Sequence, residues 1–235
     1  MNTNLMIENI IEPIKLLFIW KDEKGNKYKV GEIIKKNKEE ADLIYSETEE
    51  DFINAKKKGF NGYPSFPLSQ IRWENVMSTF SRRIMQRKRP DFNKWLEFNK
   101  IPSSLNENIT DFALLGYTGG ILPSDNFMFI HPFEVSNKNY EFVTEVAGIR
   151  HRKDIDLNNL RENDSVSFIP EPNNPNDKYS VKIIVGNLHI GYINRCFAQR
   201  FNEILQNNKV AAFISKKNGT QESPKIYIFI KVNND

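Results

Sequence analysis

The sequence is poor in metal-binding and redox-active side chains: it has one cysteine, Cys196, and three histidines, His131, His151 and His189. One cysteine excludes an internal disulfide, and so few Cys and His residues argue against a structural zinc site. The apolar run at 14–20 contains a lysine and is too short to span a bilayer, and the N-terminal segment has no basic n-region typical of a signal peptide. We therefore expect a cytoplasmic protein without a metal, a cofactor or a membrane partner.

Motifs that support catalysis are missing as well. The chain contains neither a Gly-x-Ser-x-Gly elbow nor a His-Glu-x-x-His motif, and its acidic residues lie in polar surroundings typical of surface charge. Its 33 Lys and Arg residues barely exceed its 30 Asp and Glu residues, so any contact with nucleic acid has to come from a local patch. These features predict a binding protein, not an enzyme.

The N-terminal part of the chain predicts a small sheet beside helices. Two β-rich segments, 15–20 and 28–34, flank the turn signal Lys24–Asn26 and predict a hairpin. A helix that ends at Pro90 is predicted by apolar residues at helical spacing, namely Trp73, Val76, Met77, Phe80 and Ile84. We expect an α+β domain over 1–134 and a linker at 131–139.

From Tyr140 onward the pattern is rich in short strands. Alternating segments at 141–146, 165–169, 179–185 and 188–193 precede a helical segment around Phe197 and two final strands. Many short strands with one intervening helix predict a small, partly open β-barrel similar to an OB-fold. We assign it to 138–235.

The turn at 171–178 is rich in proline, asparagine and aspartate, which predicts a rigid loop with outward-held donors and acceptors. Together with Gly148–His151, Val181–Ile183 and His189–Ile193, in this order, the loop resembles the motifs of the HIRAN domain. The resemblance covers about 141–232. It implies an OB-like barrel that holds the 3′ end of single-stranded DNA.

Carried over position by position, the resemblance implies seven contact residues. Arg150 and His151 match contacts to the terminal nucleotide; Asn173, Asn174 and Asp177 match the loop that reads the base and the 3′-hydroxyl; Tyr192 and Arg195 match contacts toward base and phosphate. This sequence departs from the family at His151 and Asn176, where aromatic residues are usual. Losing such stacking surface costs about 1–3 kcal/mol per base.

A more diffuse resemblance covers about 16–132. Trp20, Val30–Ile33, Ser65–Leu68 and Phe112–Leu115 before Gly119–Gly120 are similar to the N-terminal subdomain of HipA-type toxin kinases. The kinase core of that family does not follow, so kinase activity is not implied. The resemblance implies a partner that restrains a separate kinase.

A dense basic cluster follows Phe80, with the residues Arg82, Arg83, Arg87, Lys88 and Arg89. If exposed together, these residues could guide nucleic-acid phosphates; equally, they could be a solvated helix face with charge favourable near a helix C-terminus.

The sequence predicts a non-catalytic protein that binds single-stranded DNA in DNA repair, replication or mobile-element defence, and the HIRAN resemblance implies binding at 3′ ends. A DNA-processing enzyme would be a possible partner in that setting. The alternative is a protein-interaction or antitoxin-like partner of a HipA-type kinase.

Overall fold

The computed structural model describes residues 5–134, 138–152, 155–220 and 223–234, which form two compact units. The N-terminal unit comprises the described residues from 11 to 134. The barrel unit combines residues 5–10 with the described residues from 138 to 234.

The sequence placed residues 5–10 in the first domain, but the structure places them in the barrel unit. The backbone N–H groups of Glu8 and Asn9 each donate to Oε2 of Glu141 over 3.0 Å. Leu5 and Ile7 are buried. The hydrogen bonds of this segment therefore come from a residue more than 130 positions along the chain.

The N-terminal unit contains seven strands and four α-helices among its described residues. They are β1 (Lys15–Lys21), β2 (Lys27–Lys35), β3 (Ala41–Tyr45), α1 (Glu50–Lys57), β4 (Gly62–Tyr63), β5 (Phe66–Pro67), β6 (Arg72–Trp73), α2 (Met77–Phe80), α3 (Phe92–Phe98), α4 (Asp111–Thr118) and β7 (Phe127–Ile130). Five strands form an antiparallel sheet in the order β6-β3-β2-β1-β7, and β4 pairs with β5. The predicted hairpin is confirmed as β1 and β2.

Aromatic side chains fill the core of this unit. Phe18 is fully buried, and its ring centroid lies 5.3 Å from that of Phe127 and 5.5 Å from those of Phe80 and Phe129. Rings at such distances add stacking energy to the burial of their large apolar surfaces. The sheet therefore packs around one aromatic cluster.

The long helix predicted from Trp73 to Pro90 is wrong. Trp73 pairs with Leu43 in the sheet, and the helix is limited to Met77–Phe80, followed by a 3₁₀ turn at Ser81–Arg83. Asn75 has a φ of 54°, and its N–H donates to the buried carboxylate of Asp42. Tertiary bonds thus override the local apolar spacing.

The barrel unit confirms the predicted strands and helix. Its elements are β8 (Tyr140–Glu145), β9 (Ser165–Pro170), β10 (Val181–Val185), β11 (Leu188–Tyr192), α5 (Arg195–Asn207), β12 (Lys209–Gly219) and β13 (Pro224–Asn233), with 3₁₀ turns at Ile149–His151 and Leu157–Asn159. The antiparallel sheet has the order β11-β10-β9-β12-β13-β8.

The two edges of this sheet meet, so the sheet closes into a barrel. Ala147, just after β8, and Tyr192, at the end of β11, form an isolated antiparallel bridge. Gly191 permits the close approach, because a Cβ there would lie 2.4 Å from the Ala147 carbonyl oxygen. We call this junction the seam.

The apolar face of α5 packs against the barrel. Asn194 caps the helix by accepting from the N–H of Cys196, and Phe197, Phe201 and Ile204 are buried. The Phe201 ring lies 4.8 Å from that of Phe168 on β9. Within the described ranges of the chain, none of the helices is both long enough and apolar enough to cross a membrane.

Candidate nucleic-acid interface

The turn after β8 presents two of the predicted site residues at the seam. Gly148, with a φ of 80°, starts the 3₁₀ turn, and Ile149 is buried and anchors it. Arg150 and His151 are both exposed, and Nε of Arg150 donates to Nε2 of His151 over 3.1 Å. The structure therefore places these two side chains next to each other on the surface.

The loop between β9 and β10 is held together by two of its own side chains. Oδ1 of Asn174 accepts from the N–H of Asn176 over 2.9 Å and from the N–H of Asp177 over 3.3 Å. Oδ1 of Asp177 accepts from the N–H of Tyr179 over 2.9 Å. Asn173 is exposed. Thus Asn174 and Asp177 fix the loop, while Asn173 faces solvent.

Tyr192 lies where the turn, the loop and the end of β11 meet. A Cβ added to Gly148 would lie 3.9 Å from Cδ2 of Tyr192, so the ring covers the start of the turn. The His189 ring stands perpendicular to the Tyr192 ring at 4.7 Å. Burial, followed by the negative charge of Glu171, raises the pKa of the Tyr192 hydroxyl.

Arg195 begins α5 three residues after Tyr192 and is exposed. The short connection through the Asn194 cap fixes the backbone of Arg195 beside the end of β11. The predicted residues therefore fall on three pieces of chain, which are the turn at 149–151, the loop at 171–180 and the end of β11 leading into α5.

Sequence reasoning missed Glu171, which connects several groups of the site. Its carboxylate accepts from Nζ of Lys182 over 2.5 Å and from Nδ2 of Asn174 over 3.3 Å, and its negative charge helps to raise the pKa of the Tyr192 hydroxyl. The bond from Lys182 holds the pKa of Glu171 below its usual range. The alternation of β10 marks Lys182 as outward-facing, but only the strand register shows that it lies opposite Tyr192.

A second pair that the sequence did not single out is Arg152 and His189. Nη1 of Arg152 lies 2.5 Å from Nδ1 of His189, and Nε2 of His189 lies 3.0 Å from the Gly191 carbonyl oxygen. Since Arg152 only donates, Nδ1 accepts and Nε2 carries the proton. Burial, then the charge of Arg152, lowers the pKa of His189 and favours this neutral form.

The basic cluster around the 3₁₀ turn is not a shared exposed surface, so that prediction is corrected. Arg83 is 4% exposed, forms an ion pair with Asp125 and donates to the carbonyl oxygens of Gly120 and Phe127 over 2.8 Å each.

Two other members of the cluster have carboxylate partners. Arg87 pairs with Asp111 over 2.7 Å, and Arg89 pairs with Asp91 over 2.9 Å. Arg82 and Lys88 are exposed. Much of the cluster's charge is therefore offset within the N-terminal unit.

In the parts of the chain that the structure describes, no group of three His, Cys, Asp or Glu side chains is placed to hold a metal ion.

Comparison with known proteins identifies the barrel unit. The family model of the HIRAN domain matches residues 139–233, so this part of the chain is a HIRAN domain, as the motifs indicated. A solved structure, the HIRAN domain of human HLTF, is 16% identical; the match covers 39% of this chain and 74% of that one, with a TM-score of 0.32. No curated protein matches the chain. The similarity of 16–132 to HipA-type kinases stays a prediction.

Proposed function

We propose that the barrel unit binds single-stranded DNA at a 3′ end and that the chain acts as a binding protein without catalysis. The observation that carries the proposal is the convergence at the seam of the turn with Arg150, the Asn-rich loop and Tyr192. The HIRAN match over 139–233 supports the assignment to nucleic acid.

The chemistry of the seam suits this ligand. The guanidinium groups of Arg150 and Arg195 can donate to phosphate oxygens. The Tyr192 ring offers a face on which a base can stack, a contact worth about 1–3 kcal/mol per base. The exposed amide of Asn173 can donate to or accept from base edges, and the Asp177 carboxylate can accept from a terminal hydroxyl.

Fluorescence anisotropy with three labelled oligonucleotides tests the proposal. The ligands are a single strand with a free 3′-hydroxyl, the same strand with a 3′-phosphate, and a blunt duplex. We expect tightest binding to the free 3′-hydroxyl strand and weaker binding as salt rises, because phosphate contacts release counterions. Equal affinity for the duplex, or no binding to any of the three, would contradict the proposal.

A double variant tests the site itself. Arg150→Ala with Asp177→Asn removes one cation and one anion, while the Asn side chain keeps an acceptor for the N–H of Tyr179. We expect at least about tenfold weaker binding, since hydrogen bonds to charged groups contribute about 1.5–3 kcal/mol each. The matched control, Arg161→Ala with Glu162→Gln, makes the same charge changes before β9, at its far end, where both side chains are exposed. Equal effects in the two variants would argue against the assigned site.

The absence of catalysis is tested separately. A labelled strand incubated with the protein and Mg²⁺ should keep its length on a denaturing gel. The alternative, a kinase-like protein partner of the N-terminal unit, gains no support from the comparisons. A pull-down from cells that recovers such a kinase in place of nucleic acid would favour it.

A further inference from the structure

Glu171 lies just after β9, on the outward-facing side of the barrel that also carries Tyr192. Along β9 and its extension, Glu171 lies two residues after Ile169, which pairs with Lys182, and Lys182 in turn pairs with Tyr192. Because alternate residues of a strand share a face, Ile169 and Glu171 lie on the side that carries Lys182 and Tyr192. The carboxylate is therefore part of the surface on which a bound strand would lie.

This carboxylate is charged and reachable. The side chains of Glu171 and Lys182 are 24% and 31% exposed, so a ligand phosphate can approach either one. The ion pair with Lys182 lowers the pKa of Glu171 and raises the pKa of Lys182, which keeps both groups charged at neutral pH. The cation of Lys182 is thus already neutralised before any nucleic acid arrives.

We propose that Glu171 is a specificity-determining residue of this site: its carboxylate admits a strand end that carries a hydroxyl and disfavours one that carries a phosphate. The inference rests on the proposed function. In this view, the charge of Glu171 is the physical cause of the preference for a 3′-hydroxyl over a 3′-phosphate.

The two strand ends differ in charge. A terminal phosphate monoester carries about −1.5 to −2 at neutral pH, whereas the phosphodiesters elsewhere in the strand carry one negative charge each. To bind near Lys182, the monoester has to displace Glu171 or lie beside it, and either arrangement leaves extra negative charge without a cation. A terminal hydroxyl brings no charge, and it can donate to a carboxylate oxygen.

Asp177 is the other carboxylate of the loop, but its environment differs. Its Oδ1 accepts from the N–H of Tyr179 and so belongs to the structure of the loop. Glu171, in contrast, forms an ion pair with Lys182 and lies on the face that carries Tyr192, which we assign to ligand binding. We therefore expect the discrimination between 3′-hydroxyl and 3′-phosphate ends to depend on the charge of Glu171.

The experiment compares Kd for the 3′-hydroxyl and 3′-phosphate strands in wild type, in Glu171→Gln and in Lys182→Gln. Glutamine at 171 keeps the size and one acceptor but removes the charge, so we expect the 3′-phosphate strand to bind about tenfold more tightly and the 3′-hydroxyl strand to change about twofold at most. Lys182→Gln leaves Glu171 without its cation and should increase the preference for the hydroxyl. Glu162→Gln, an exposed acid before the far end of β9, is the matched control and should change neither value.

The outcomes separate the two proposals. Binding by wild type with the same preference in Glu171→Gln would overturn the inference and leave the proposed function standing. Loss of both ligands in Glu171→Gln, with an unchanged melting temperature, would make Glu171 a direct ligand contact and would also overturn it. Failure of wild type to bind either strand would overturn the proposed function first, and the inference with it.

Discussion

Ala147 and Tyr192 exchange two backbone hydrogen bonds of 2.8 Å, each residue donating its N–H to the carbonyl oxygen of the other. These bonds join the two edge strands of the barrel unit. They also bring the turn at 149–151 next to the ring of Tyr192. Closure of the barrel and assembly of the candidate site are therefore one event, and a variant that opens the seam should affect both.

Gly191→Ala tests this coupling. The added Cβ would lie 2.4 Å from the Ala147 carbonyl oxygen and 2.6 Å from Cγ1 of Val146, so the strands have to separate. We expect a loss of several kcal/mol in the free energy of unfolding of the barrel unit, together with loss of oligonucleotide binding.

Gly186→Ala is the control for that variant. Gly186 has a φ of 57° in the turn between β10 and β11, but an added Cβ there meets nothing within 4 Å. It should cost only the strain of a positive φ, about 1–2 kcal/mol, and leave binding intact. If both variants melt at the same temperature, steric closure at Gly191 is not what stabilises the seam.

Arg83→Gln should strongly destabilise the N-terminal unit. The change leaves Asp125 without its cation and leaves the carbonyl oxygens of Gly120 and Phe127 short of charged donors. Breaking a buried ion pair by removing one partner typically costs about 3–5 kcal/mol. Urea unfolding measures this loss, and the exposed neighbour Arg82→Gln should change stability by no more than about 0.5 kcal/mol. Equally small losses of stability in Arg83→Gln and Arg82→Gln would mean that the hydrogen bonds of Arg83 contribute little to the stability of the unit.

His131 should make stability pH-dependent. Its Nδ1 accepts from the N–H of Phe133, so Nε2 carries the proton and donates to the Ile11 carbonyl oxygen over 3.0 Å. Burial lowers the pKa of His131 to about 4. The fold thus favours neutral His131. This preference contributes fully to the free energy of unfolding above the pKa of histidine in the unfolded chain, about 6.5. The free energy of unfolding should therefore fall by about 3 kcal/mol as the pH drops from about 6.5 to about 4.

Unfolding in urea at several pH values from 7 to 4 checks the pH dependence. His131→Phe removes the titrating group, so its unfolding free energy should lose the corresponding slope between pH 6.5 and 4. An identical slope in both proteins would show that other groups, not His131, cause the acid sensitivity.

At Tyr192, the contribution of ring stacking to binding can be separated from that of the hydroxyl. Tyr192→Leu removes the aromatic face and should weaken binding of the single strand by about 1–3 kcal/mol. Tyr192→Phe keeps the ring and loses only the hydroxyl, so the loss should be clearly smaller. Anisotropy titrations of the two variants measure these losses of binding free energy. Equal losses would assign the contribution of Tyr192 to its hydroxyl.

The sequence was most informative where local pattern determines structure. Alternating residues predicted the strands of the barrel unit, and the Asn-Pro turn predicted a rigid loop, although Asn174 and Asp177 bond to the loop's own backbone and do not point outward. The helix from Trp73 failed because the β3–β6 pairing and the bond from Asn75 to Asp42 depend on residues some thirty positions away. Local periodicity carries no information about such partners.

The same limit applies to the charges of the site. Alternation shows that Lys182 faces outward, but only register places it opposite Tyr192 and within reach of Glu171. Arg83 resembled its basic neighbours in sequence, and its partner Asp125 lies 42 residues further on. Which cations are available to a ligand is therefore decided by tertiary pairing, which the sequence alone did not reveal.

The hydrogen bonds from Glu8 and Asn9 to Glu141 have a consequence for synthesis of the protein. Glu141 follows Glu8 by 133 residues, so the intervening unit is an insertion within the barrel unit. Domains generally fold in the order in which they leave the ribosome. Here the inserted unit emerges complete while residues 5–10 still lack their partners. Of the two units, the barrel unit is thus the first to begin synthesis and the last to complete its folding.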